Sequence, residues 1–576
     1  MKKLLSLITF TIIITNVIAQ ANTNKQDAAF DAFKERFILA LWQQYPNWAS
    51  SEGFHKYDAV LSIPDQTTRN SNNSFCKRYL DSLKKFDTKN LSVNNQTDIA
   101  LIQNKLTSSI WYNTTFKAYE WNPAQYNVCG QFAVMLADDY EPLDNRLRNF
   151  AKKMDGISAY YKAAKAAINN PTVEHTQLAI AQNKGGQSAF KQDLQAALEK
   201  SGLTDNEKVA ITAKAAETVA IIDDYINFLT NLKNPTPRSF RIGLNLYSKK
   251  FEYDIQSAYT ASQIFSFAVQ EKQALHIKMY QRTKKLWSKY FAQTPMPTDT
   301  LIAIRKMIDT LSINHVSAAA FQTEIEKQIP QLVAFVNEKN LLYLDPSKPL
   351  VVRKEPDYMA GVAGASISAP GPYDKNANTY YNVGSIANWD AERAESYLRE
   401  YNEYILQILN IHEAIPGHYT QLVYSNQSPS IIKAILGNGA MVEGWAVYTE
   451  RMMLENGYGN FADEMWLMYY KWNLRTVCNT ILDYSVHVNN LSKEAAIKLL
   501  INEAFQQKAE AEGKWKRVSV SQVQLCSYYT GYKEIYDLRT ALQKKQGSQF
   551  NLKKFHETFL SFGSAPVKYI STIMNP

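Results

Sequence analysis

Between Asp27 and Tyr45 the apolar residues Phe30, Phe33, Phe37, Leu41 and Trp42 recur every three or four positions, the spacing that lines one face of an α-helix. Patterns of this kind return along the whole chain. After Gly202, Thr204 and Glu207 form a capping box ahead of Val209, Ala213, Ala216, Val219, Ala220 and Tyr225, and another pattern runs from about Ser262 to Phe291. Only 21 glycines and 19 prolines punctuate 576 residues. That is about 7% where roughly 12% is usual, so turns are few and helices long. A strand-rich sandwich or barrel is disfavoured and a mainly α fold is expected. The exception is 357–385, where Gly361, Gly364, Ser366, Ser368, Gly371, Tyr373, Thr379, Tyr380 and Tyr381 predict short strands and loops. Asn234-Pro235-Thr236-Pro237 divides an N-terminal helical region, 22–234, from a C-terminal one, 235–576, and a chain of this length can bury both in one continuous core. Ser347 to Pro349 marks a second break.

The first residues read as a signal peptide over 1–21: Lys2 and Lys3, an apolar run from Leu4 to Ala19, then small residues at Ala19 and Ala21. Ser6, Thr9, Thr11, Thr15 and Asn16 dilute that run, which is shorter than the roughly 20 residues a spanning helix needs. A periplasmic or secreted protein is expected, with no stable membrane insertion after cleavage, and no cysteine follows the run to accept a lipid. Lys and Arg number 63 against 54 Asp and Glu, and they are scattered, so nucleic-acid binding has no footprint. In an oxidising compartment Cys76, Cys129, Cys478 and Cys526 permit two disulfides in any of three pairings; isolated buried thiols are the alternative. No C-x-x-C pair occurs, which disfavours zinc fingers and thioredoxin-type chemistry.

The chemistry concentrates in His412-Glu413-Ala414-Ile415-Pro416-Gly417-His418. The chain has only 8 histidines, and two of them flank a carboxylate here. In an H-E-x-x-H helix the two imidazoles project together onto zinc and the glutamate is the general base. Here the second histidine comes six residues after the first, about 240° around an ideal helix, where it could not chelate. Pro416 cannot donate to the His412 carbonyl and Gly417 tolerates unusual dihedrals, so a widened turn is expected to swing His418 back beside His412. A third ligand is expected from Glu443 in the apolar stretch Glu443-Gly444-Trp445-Ala446-Val447-Tyr448-Thr449-Glu450. Glu450, seven residues on and sharing a helical face, would orient a ligand from behind the metal.

These residues, with Tyr419, Thr420 and Gln421, resemble the bacterial domain of unknown function 885 family, itself similar to helical zinc peptidases of the carboxypeptidase Taq and thimet oligopeptidase kind. The resemblance begins near Tyr45-Pro46, runs through Gly53-Phe54-His55-Lys56-Tyr57-Asp58 and Arg241-Ile242-Gly243, and ends in Phe555-His556 to Gly563 and Pro566. It implies a large helical zincin-like metallopeptidase fold with a small strand element near the active site. Arg475, Asp483 and His487 match family positions, as do Ser527-Tyr528-x-x-Gly531 and Leu538-Arg539. Two departures touch the loops beside the site: Gln522-Val523-Gln524 replaces the family's Pro-Gly-Gln, and Tyr419 stands where many members have a third histidine.

The expected activity is zinc-dependent hydrolysis of peptide bonds in short peptides, as a carboxypeptidase or an oligopeptidase, with Glu413 as general base. Tyr528 and His487 are the candidate donors to the tetrahedral oxyanion, with Asp483 behind His487; Arg475 or Arg539 would bind a substrate carboxylate. Two rivals are a zinc-dependent amidase acting on cell-wall peptides and a zinc-bearing binding protein without turnover. Retention of Glu413 argues against the second, since a purely structural site has no use for a base beside the metal.

Overall fold

The computed structural model describes residues 25–355, 365–374, 378–386 and 389–575. The segment read as a signal peptide, 1–21, and Gly361 and Gly364 lie outside them. The fold is mainly α with one small sheet. Helix α1 (25–44) buries Phe30, Phe33, Phe37, Leu41 and Trp42 as its spacing requires. Helix α2 (Val93–Trp111) carries Asp98, fully buried, which binds Lys433 at 2.5 Å and Ser430 at 2.7 Å and so fastens the N-terminal region to the C-terminal one.

The predicted capping box opens helix α3 (Asp205–Thr230), with the Thr204 hydroxyl and Glu207 carboxylate each bonded to the other's backbone N–H. Its buried face differs from the expected one. Ile211, Ala215, Thr218, Ile222, Tyr225, Ile226 and Leu229 point inward, while Val209 is 69% exposed. The isoleucines bury more apolar area than the alanines offset from them, and they set the rotation of the helix. Helix α4 (Ala261–Phe291) begins with a second reciprocal box, Thr260 with Gln263, and matches the predicted span. Helix α5 (Phe321–Glu338) follows.

Strands β1 (Leu350–Lys354), β2 (Ala365–Ser368) and β3 (Thr379–Val383) form one sheet in the order β1-β3-β2. β1 runs parallel to β3 and β2 antiparallel, with Tyr381 opposite both Val352 and Ile367. β1 precedes the stretch in which strands were expected. The central position of β3 buries Tyr381 completely.

The remaining helices build the site: α6 (Glu403–Glu413), α7 (His418–Asn426), α8 (Gly439–Glu455), α9 (Asp463–His487), α10 (Lys508–Val520), α11 (Ser527–Gln546) and α12 (Leu552–Ser561). Most of their apolar residues join one cluster that extends from Phe116 to Ile570. Two smaller clusters lie in the N-terminal region, and the one under α1 takes in Ile432, Ile435 and Leu436 from the C-terminal region. Cys76, Cys129, Cys478 and Cys526 are all free and buried, so the isolated thiols, not the two disulfides, are what the fold contains. Among the described residues no helix is long and apolar enough to cross a membrane.

Candidate metal centre

Helix α6 starts at Asn402, whose side chain accepts from the N–H groups of Tyr404 and Ile405, and delivers His412 and Glu413 at its last turn. The helix then stops. Residues 414–417 form a tight turn with a cis Ile415–Pro416 bond, and a separate helix, α7, starts at His418. The two histidines are therefore brought together by a break between helices and not by the widened turn expected from the sequence. A Cβ at Gly417 would sit 2.5 Å from the His412 carbonyl carbon and closer still to its oxygen, so only glycine lets the chain double back there. The Trp445 indole donates to the Pro416 carbonyl at 2.8 Å and holds the turn against α8. From the other side Tyr381 of β3 donates to the Asn410 amide oxygen at 2.8 Å, and Asn410 donates to Gln328 of α5 at 2.7 Å. The small sheet thus braces the turn that ends in His412.

The imidazoles lie 4.7 Å apart at 88° to each other. Glu443 Oε2 is 3.8 Å from His412 Nε2 and 3.3 Å from His418 Nε2. Donors bonded at about 2.0–2.2 Å to a tetrahedral zinc are separated by about 3.3–3.6 Å, so one of these two separations falls in that range and the other, at 3.8 Å, just outside it. His412, Glu413 and His418 also each present a donor atom within 4.8 Å of the other two, which puts Glu413 at the rim of the same space. Behind it, Glu450 is fully buried. Its Oε1 accepts from His412 Nδ1 at 2.7 Å and from the Trp472 indole at 3.0 Å. That bond puts the His412 proton on Nδ1 and leaves Nε2 as a free donor of electrons, as metal ligation demands. His418 Nδ1 is buried and has no hydrogen-bond partner among the described residues. The donor set of two imidazoles and a carboxylate fits zinc.

Burial is the first influence on every group of the centre, and it raises Glu450 well above the ordinary carboxylate range. Burial, with the neighbouring His418, pushes His412 down to about 4, so it is neutral. Burial raises Glu413, although both histidines oppose the shift. Glu443 is also penalised by burial, but the hydrogen bond and charge of His418, with help from His412 and Tyr528, bring it below the ordinary carboxylate range. Burial also pulls on His418, and the bond to Glu443 with its charge outweighs it and raises that imidazole.

Tyr528 stands in the first turn of α11, where burial and the Glu443 charge raise its pKa. It reaches Glu443 because α8 and α11 cross at two glycines: a Cβ on Gly444 would meet Tyr532 N at 2.6 Å, and one on Gly531 would meet Gly444 Cα at 2.9 Å. Gly531 lies inside α11 at this close approach.

The other sequence-predicted residues are engaged with different partners. His487 is a correction: it is fully buried with Nε2 bonded to the carbonyls of Val518 and Ser521, at 2.9 and 3.0 Å, and its pKa is lowered by burial. Asp483 accepts from Val523 N at 3.0 Å and Leu525 N at 2.8 Å, so this pair braces the segment that leads into α11. Arg539 is also corrected, being engaged with Glu455 at 2.8 Å. Arg475 lies beside the cluster, its guanidinium 4.6 Å over the Trp472 ring, but it pairs with Glu510 at 2.7 Å. Tyr419 turns its hydroxyl away from the cluster to the Lys348 carbonyl. Trp472 and Asn410 were not singled out from sequence, and Trp445 entered only as part of its motif, since large aromatic and amide side chains in apolar stretches carry no signal that separates bracing a ligand from filling a core.

The fold and site define a large helical protein with a buried two-histidine, multi-carboxylate centre clamped between helices and a small sheet. The chain belongs to the family described as "Bacterial protein of unknown function (DUF885)", whose pattern matches residues 46–574. It is similar to a solved structure from Shewanella oneidensis described as a candidate lipoprotein of unknown function, with 54% identity, a TM-score of 0.86, and coverage of 95% of this chain and 100% of that one. A candidate lipoprotein from Colwellia psychrerythraea has the same fold at 14% identity, with a TM-score of 0.78 and coverage of 96% and 99%. No curated protein matches the chain.

Proposed function

We propose that this protein is a zinc-dependent peptidase that hydrolyses short peptides outside the inner membrane. The observation that carries the proposal is the convergence of His412 Nε2 and His418 Nε2 on Glu443 Oε2 at 3.8 and 3.3 Å, with the Glu413 carboxylate beside them. His412, His418 and Glu443 would hold the metal. Bound zinc supplies Lewis acidity at a carbonyl and lowers the pKa of water. Glu413, raised by burial, takes a proton from the attacking water on its carboxylate and delivers it to the leaving nitrogen. Glu450 keeps the His412 proton on Nδ1 throughout. The Tyr528 hydroxyl, facing Glu443, is placed to donate to the oxyanion that forms on the scissile carbonyl. The resemblance to the carboxypeptidase Taq and thimet oligopeptidase kind supports peptides as substrates, and the lipoprotein descriptions of the two solved relatives support a location in the envelope or beyond it.

The test is a panel of short peptides with free and blocked termini, read by mass spectrometry with and without chelator. Cleavage that disappears with chelator and returns with zinc is expected. Absence of cleavage across the panel, or cleavage indifferent to chelator, would refute the proposal.

A further inference from the structure

Arg517 is an exposed cation that reaches the Tyr528 hydroxyl beside the centre, and among the described residues no carboxylate pairs with it directly. Its Nη2 donates to Gln524 Oε1 at 2.8 Å and to the Tyr528 hydroxyl at 3.1 Å. Among the described residues it forms no ion pair, and its Nε and Nη1 groups make no hydrogen bond. The other cations nearby are committed: Arg475 and Lys514 to Glu510, at 2.7 and 3.7 Å, and Lys471 to Glu400 at 2.8 Å. Three cations face two carboxylates in that buried group, and Arg517 lies close enough to act on Lys514 as a further positive charge. An exposed guanidinium without a direct carboxylate partner keeps its N–H groups on water, which an anionic ligand can displace.

The geometry also fixes where that anion would sit. The Tyr528 hydroxyl is 3.1 Å from Arg517 Nη2 and faces Glu443. Two hydrogen-bond steps put the guanidinium within roughly 6 Å of the Glu443 carboxylate. One residue of extended peptide spans about 3.3–3.6 Å. A carboxylate on Arg517 therefore belongs to the residue immediately after the scissile bond.

We infer that Arg517 binds the free C-terminal carboxylate of the substrate, which makes the enzyme a carboxypeptidase releasing single C-terminal residues. This rests on the proposed peptidase activity for its chemistry, but not for its binding test. It replaces the assignment of Arg475 or Arg539 to this role. The uncommitted N–H groups of Arg517 accept the carboxylate, while the bond from Nη2 to the Tyr528 oxygen holds the phenol toward the reacting carbonyl and strengthens its O–H as a donor.

The experiment measures affinity by calorimetry on the zinc-loaded Glu413→Gln protein, which cannot consume its ligand. The probes are N-acetyl-Ala-Phe, N-acetyl-Ala-Leu and N-acetyl-Ala-Lys, each as free acid and as amide, with N-acetyl-Ala-Asp-amide to present a side-chain carboxylate instead. At least one acid is expected to bind roughly 10- to 100-fold more tightly than its amide, the range of a charge-assisted bond. Adding Arg517→Gln should bring each acid down to its amide, and Arg517→Lys should restore part of the preference. Equal binding of acids and amides, no binding of any probe, preference for the aspartyl amide, or a preference that survives Arg517→Gln would each overturn the inference. In the wild-type background, Arg517→Gln should slow both through Tyr528 but the acids roughly 10-fold more than the amides; an equal loss on both would mean that Arg517 only positions Tyr528. A wild-type protein that binds acids selectively yet cleaves none would refute the peptidase proposal and leave the carboxylate site standing.

Discussion

Alanine at Gly531 tests whether the crossing of α8 and α11 sets the geometry of the centre. The added Cβ would lie 2.7 Å from the Ala440 carbonyl carbon and 2.9 Å from Gly444 Cα, where carbon atoms need about 3.5–4.0 Å. Both obstacles are backbone, so no side chain can rotate away and the helices must part by about 1 Å. Overpacking of this kind costs about 1–3 kcal/mol. The same movement draws Tyr528, one turn before Gly531, away from Glu443, which immediately precedes Gly444. A misplacement of about 1 Å in a reacting constellation lowers turnover by the order of 10²-fold. Urea midpoint and kcat/KM should be measured on one preparation, with Gly513→Ala as control. Gly513 lies inside α10 with nothing within 4 Å of its missing Cβ, so that change should be neutral or stabilise by up to about 1 kcal/mol. Wild-type midpoint and wild-type activity in Gly531→Ala would refute the argument that this contact positions the phenol.

Tyr528→Phe should lower kcat by roughly 10²-fold with zinc content and melting temperature unchanged, as for one lost oxyanion donor; unchanged kcat with a lower melting point would assign the hydroxyl to packing instead. Glu450→Gln should weaken zinc by about 10- to 100-fold, measured by competition with a chelating dye, because the amide removes the charge behind His412; unaltered affinity would dissociate Glu450 from the ligand. Away from the metal, His556 is fully buried between Leu341 O and the Tyr448 hydroxyl, both at 2.8 Å, and burial takes its pKa from 6.5 down to about 3. Its folded pKa lies below its unfolded one, so below pH 6.5 the unfolded chain binds the extra proton: the stability is present above pH 6.5 and is lost as pH falls toward 3. Denaturation between pH 6 and 4 should steepen by about 1.4 kcal/mol per pH unit for this one group, and His556→Gln should remove that slope; an unchanged slope would mean that His556 is protonated in the folded protein.

Rarity made the centre readable in sequence. Two histidines with a glutamate inside seven residues, followed by glutamates in an apolar helix, leave few arrangements other than a shared site, and His412, His418, Glu443 and Glu450 do meet. The route by which they meet was hidden, because a proline-glycine turn signals only that a helix is disturbed. The clash that makes glycine obligatory at 417 arises from the His412 carbonyl, a partner that spacing alone does not reveal. Asp483 and His487 show the opposite failure. An acid and a histidine four apart on a helix look like a catalytic pair, yet both spend their hydrogen bonds on the backbone that feeds α11. Arg517 carried no signal at all, since one arginine in a charged helix becomes distinctive only when it is seen to reach Tyr528 without a carboxylate of its own.

The most direct test of the account is zinc per chain by elemental analysis on the purified protein and on His412→Ala, His418→Ala and Glu443→Gln. About one zinc per wild-type chain is expected, with loss of the metal in both histidine variants and weakened retention in the glutamate variant, while the melting curves still report folded protein. Full zinc occupancy in both histidine variants, or a wild-type chain that takes up no zinc when it is supplied, would contradict the metal centre and the hydrolytic mechanism built on it.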